Sequence, residues 1–93
     1  MTKVLVVDDS AFMRMLVKDR IPSREKIQVL EASCGKEALE IIMKEKPDLI
    51  LLDVILPDIS GEEVLYTLRK AGITSKVILV TAVDQKEMLE RKN

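Results

Sequence analysis

Val4 to Arg14 reads VLVVDDSAFMR: four apolar residues run straight into two adjacent aspartates, Asp8 and Asp9. A short valine-rich run with no polar alternation is the pattern of a strand buried on both faces, as in a parallel sheet. Beyond the acids, Phe12, Met13, Leu16 and Val17 recur at the i, i+4 spacing of an amphipathic helix. Asp9 or Ser10 suits its N-cap. The stretch is therefore a strand–turn–helix unit with two carboxylates on the turn. Adjacent carboxylates repel each other, so their placement asks for a reason.

The same pattern repeats outward. LILL (Leu49–Leu52) and KVILV (Lys76–Val80) are further strand-like runs, and IQVLEA (Ile27–Ala32) alternates in the manner of a sheet edge. Helical spacing returns at Ala38, Leu39, Ile42 and Met43, and again at Val64, Leu65 and Leu68. Pro47 precedes the third strand, and Gly72 closes the third helix. Ser60-Gly-Glu-Glu63 is a capping box, and Asp84 with Glu87 repeats it for a fourth helix. Strands and helices in strict alternation predict an α/β fold with a parallel sheet and right-handed crossovers. Ligands of such sheets sit outside the carboxyl ends of the strands.

Composition narrows the chemistry. The chain has 93 residues, 47% hydrophobic and 33% charged, with a net charge of −1. That suits one small globular domain, residues 1–93, and gives no electrostatic footprint for nucleic acid. No apolar run reaches the ~20 residues of a membrane span, and no signal-peptide pattern opens the chain. One cysteine, Cys34, permits no internal disulfide and fits a reducing cytoplasm. Histidine is absent, so carboxylates and hydroxyls must carry any chemistry.

Those groups fall at the strand ends. Asp8 and Asp9 follow the first strand, Asp53 ends the third and Thr81 ends the fourth. A single strand-terminal Asp is most simply a helix cap. Four polar groups at three strand ends are better explained as one site. Crowded carboxylates raise one another's pKa values unless a cation joins them. An all-oxygen set that leaves room for water points to Mg²⁺, and such a site suits phosphoryl binding.

VLVVDDS, PDLILLDVILPDISGEE and KVILVTA together resemble the successive motifs of the two-component response-regulator receiver domain, and DDSAFMR resembles its chemotaxis branch. The resemblance implies a flavodoxin-like, doubly wound sheet of order 2-1-3-4. It implies that Asp53 is the phosphoacceptor for a sensor histidine kinase. Asp8, Asp9, Asp53 and the backbone carbonyl of Ile55 would hold Mg²⁺. Thr81 would donate its hydroxyl to the phosphoryl group, and Ala82 would keep the pocket floor open. A downstream target would meet the fourth helix, and no enzyme turnover beyond self-catalysed phosphotransfer and dephosphorylation is implied.

The sequence departs from the family pattern after the fourth helix. A fifth strand, its lysine and a fifth helix are not found, so the expectation is a truncated receiver domain with impaired phosphotransfer. The strand-four edge would lie open, which predicts a homodimer or higher self-association through that edge or by exchange of elements. The alternative is an assembly fragment that binds metal without phosphotransfer. An aspartate-nucleophile phosphatase needs a second acid two places after the nucleophile, where Ile55 stands. No Gly-rich phosphate loop follows the first strand either. Phe12, the methionines and Cys34 read as packing residues, and Tyr66 as a surface one.

Overall fold

The computed structural model describes residues 1–22 and 26–80. Thr81, Ala82 and the expected fourth helix lie outside the described residues. Within them the order is β1 (Thr2–Val7), α1 (Ala11–Arg20), β2 (Ile27–Ala32), α2 (Gly35–Glu45), β3 (Leu49–Asp53), α3 (Gly61–Lys70) and β4 (Lys76–Val80). The four strands form one parallel sheet in the order β2-β1-β3-β4. This is the flavodoxin-like order expected from the sequence, with the alternating segment Ile27–Ala32 at an edge.

Strand order dictates which face each helix covers. The first crossover steps from β1 outward to β2, and the next steps back over β1 to β3. With right-handed connections, the reversal puts α1 on one face and α2 and α3 on the other. The main core is accordingly one-sided. Leu5, Val7, Ala32, Ile50 and Leu52 of the sheet pack with Ala38 and Ile42 of α2 and Val64 and Leu68 of α3. Each of the larger side chains contributes about 1.5–3 kcal/mol by leaving water.

The α1 face is thinner. Val4 and Val6 alternate onto it and are buried, yet α1 itself contributes no buried residue. Across one row of that face, cover falls from Val6 at 2% exposed, through half-buried Leu51, to Ile78 at 52%. Phe12, at 61% exposed, is not the core residue its helical spacing suggested. Met15 and Met43 are likewise exposed rather than packed inside. Apolar periodicity marks a face, but only an opposing layer buries it. Tyr66 is exposed, as expected.

Polar contacts fasten what the core does not. Lys3 Nζ meets Glu45 Oε1 at 2.9 Å, and Arg14 and Lys18 of α1 both hold Glu31 of β2, at 2.9 and 3.0 Å. Ser10 and Ser60 cap α1 and α3, accepting hydrogen bonds from Met13 N and Glu63 N. Cys34, read as an apolar filler, instead sits at the N-cap of α2, where its Sγ accepts from Glu37 N at 3.5 Å. Gly72 leaves α3 at φ 81°, a left-handed conformation that glycine adopts without steric cost.

A second cap for α2 comes from far along the chain. Asp58, in the loop between β3 and α3, accepts from Gly35 N and Lys36 N at 2.8 Å each. These N–H groups have no partner inside the helix, and the helix N-terminus favours a negative charge. The bonds from Lys36 N and Gly35 N hold the Asp58 carboxyl far below its ordinary value of 3.8. A depressed folded pKa stabilises fully above the unfolded value and fades as pH falls below it. Asp58→Ala is therefore expected to lower Tm at neutral pH. The gap from the original protein should hold down to about pH 4 and narrow below it, as thermal unfolding across that range would record.

Candidate metal and phosphoryl site

The carboxyl ends of β1 and β3 adjoin at the place where the direction of the crossovers reverses. In an open α/β sheet this switch point leaves a crevice, because the helices on either side diverge. Asp8 follows β1 directly, and its N–H still bonds to Ala32 O at 3.1 Å, so it extends the ladder by one residue. One oxygen of its carboxylate is fixed, since Oδ1 accepts from Ser10 N at 2.9 Å. Asp9 lies exposed on the turn. Asp53 is the last residue of β3, and its Oδ1 accepts from Ile55 N at 3.1 Å.

Oxygen atoms of Asp8, Asp9 and Asp53 all lie within 4.8 Å of one another. The three acids that the sequence placed at two strand ends thus meet. Partial burial raises the Asp53 pKa above 3.8, opposed by the Ile55 N–H and reinforced by the charges of Asp8 and Asp9. Local hydrogen bonding fixes one oxygen on Asp8 and one on Asp53. An all-oxygen set of this span fits a hard divalent cation that retains several waters.

The loop after Asp53 is held closely. Gly61 N donates to Val54 O at 2.8 Å, bringing the start of α3 onto the end of β3. A Cβ at Gly61 would collide with the Asp53 carbonyl and stand 2.9 Å from Val54 Cα. Only glycine admits this approach. Ile55 is exposed beside the cluster.

Sequence reasoning gave no role to Arg14 or Asp58. Arg14 Nη1 donates to the carbonyl oxygen of Asp8 at 2.6 Å, while Asp58 ties the loop carrying Ile55 to α2. The Arg14 signal was its position four residues after the helix-capping Ser10, one turn into α1. A cavity of about 370 Å³ opens at the opposite end of the sheet, lined by Pro47, Asp48, Gly72 and Ser75 among others. Its one carboxylate, Asp48, is engaged by Lys3 N, and it bears no relation to the acid cluster.

Comparison with known proteins agrees with this geometry. The family model described as "Response regulator receiver domain" matches residues 4–92. Chemotaxis protein CheY of Thermotoga maritima is 36% identical over 87 residues, covering 94% of this chain and 72% of that protein. Sporulation initiation phosphotransferase F of Bacillus subtilis is 35% identical over 88 residues, covering 95% and 70%. The crystal structure of the response regulator domain of Thermotoga maritima CheB superposes with a TM-score of 0.80 at 40% identity. That match covers 92% of this chain and 64% of the other, so this chain spans less than two thirds of it. A sheet in the order 2-1-3-4, three acids gathered at its switch point and a family match over nearly the whole length lead to one assignment: the chain belongs to the response-regulator receiver-domain family.

Proposed function

We propose that this chain is a phosphoacceptor signalling module in which Asp53 takes a phosphoryl group from a phosphohistidine of a sensor histidine kinase. The observation that carries the reading is the convergence of three carboxylates within 4.8 Å, with Asp53 at the strand end. The Asp53 oxygen not held by Ile55 N attacks phosphorus in line, and the phosphorus–nitrogen bond breaks. The electron pair leaves with the imidazole, and an acyl phosphate remains. Its lability to hydrolysis makes the signal self-limiting.

Asp8, Asp9, Asp53 and the Ile55 carbonyl are assigned to hold Mg²⁺. When bound, the ion supplies positive charge to the transferring phosphoryl oxygens. Thr81 is assigned to donate to a phosphoryl oxygen, and Ala82 to leave room for the group. A cytoplasmic location fits, and no helix among the described residues is long and apolar enough to cross a membrane.

One observation favours self-association as well. The outer edge of β4 has no strand partner among the described residues, and Ile78 and Val80 beside it are 52% and 43% exposed. Phe12, Met13 and Leu16 extend the exposed apolar surface along α1. A second copy can offer the same edge in return, and a net charge of −1 opposes it little.

Two measurements test these assignments. With Mg²⁺ present, beryllofluoride should bind the original protein in one-to-one ratio and shift the amide resonances of residues 53–55, and Asp53→Ala should show neither response. Silence from the original protein despite bound Mg²⁺ would favour the assembly reading instead. Light scattering on dilution should show a mass above the monomer that Ile78→Lys reduces. A monomer at every concentration would contradict self-association.

A further inference from the structure

We infer that Arg14 is a positioning residue for the acid cluster, setting the orientation of the peptide between Asp8 and Asp9 while Glu31 holds its guanidinium in place. The inference rests on the metal-binding role assigned to those acids. The carbonyl oxygen that Arg14 Nη1 contacts at 2.6 Å belongs to the peptide unit joining the two aspartates. That planar unit links the two Cα atoms, so holding its oxygen restricts rotation of the turn about Asp8 ψ and Asp9 φ, the torsions on which the placement of both side chains depends. Asp8 has a second anchor, because its Oδ1 accepts from Ser10 N. Among the described residues no hydrogen bond holds the Asp9 carboxylate, so the turn backbone is the route by which Arg14 can act on it.

The guanidinium is itself constrained. Its Nε donates to Glu31 Oε1 at 2.9 Å, and the Arg14 side chain is only 16% exposed. Glu31 stands on β2 opposite Val6, two residues before Asp8. Its other oxygen accepts from Lys18 Nζ at 3.0 Å, one turn further along α1. The bonds from Lys18 and Arg14 keep the Glu31 carboxyl below its ordinary value, so it remains charged at neutral pH. Arg14 thus bridges a fixed point on β2 and the turn that carries the acids. Two N–H groups in a rigid fork can satisfy both ends together, which the single ammonium of a lysine cannot match.

A positioning role differs from a general contribution to stability in acting through Asp9. Mg²⁺ affinity, measured by calorimetry on the whole chain, separates the two in a double-mutant cycle. Arg14→Met should weaken Mg²⁺ binding about tenfold, the effect typical of losing a group that orients a metal ligand. Arg14→Lys should restore only part of the loss. In an Asp9→Asn background, Arg14→Met should change affinity by less than about twofold, because the side chain it aims is already disabled.

An equal loss in both backgrounds, or no loss from Arg14→Met, overturns the inference. If Arg14→Met does not fold, Glu31→Gln loosens the same bridge from an exposed position and should weaken Mg²⁺ about threefold. Unchanged affinity there overturns it equally. Failure of the original protein to bind Mg²⁺ would instead refute the metal-site assignment from which the inference starts.

Discussion

The repulsion among Asp8, Asp9 and Asp53 is the constraint around which this small domain is arranged. At the 4.8 Å outer limit of their spacing, a like-charged pair costs roughly 1–3.5 kcal/mol between the bulk-water and protein-surface limits. Exposure of Asp9 brings its share toward the lower figure. A single domain has only about 5–15 kcal/mol of net stability, so the cost is a noticeable fraction. The fold tolerates it because the rest of the rim is well determined. Ser10 N and Ile55 N each take up one carboxylate oxygen, and Gly61 presses the start of α3 against the Asp53 backbone.

Rigidity is unevenly distributed around that rim. On the α2–α3 face, a layer of fully buried side chains fixes β3 and hence Asp53. On the α1 face no helix residue is buried, and Arg14 and Lys18 tether α1 by hydrogen bonds and ion pairs. Surface ion pairs of this kind typically contribute less than about 1 kcal/mol each. Asp53 is therefore set by packing, and the Asp8–Asp9 pair by polar contacts. The two halves of the cluster should respond differently to substitutions and to salt.

Much of this was legible before any coordinates. Unbroken apolar runs and helical spacing gave the strands and helices, and the alternation of the two gave a parallel sheet. Asp8, Asp9 and Asp53 announced themselves because acids directly after apolar runs must lie at carboxyl ends. Periodicity was less informative about depth. Phe12 and the methionines of α1 carry a helical apolar stripe but have little opposite them to bury it. Long-range polar contacts were invisible for a different reason. Asp58 caps a helix that begins 23 positions earlier, and Arg14 meets Glu31 across 17 positions, separations that no local pattern encodes.

The central claim is that the three carboxylates are a strained cation site rather than a set of helix caps. Thermal unfolding of the original protein and of Asp53→Asn, each with and without Mg²⁺, tests it most directly. Without the ion, Asp53→Asn should be the more stable of the two, since one carboxylate charge has been removed from the cluster. Mg²⁺ should raise the Tm of the original protein and leave that of Asp53→Asn nearly unchanged. A less stable Asp53→Asn in the absence of Mg²⁺, or an equal Mg²⁺ response in both proteins, would contradict the account.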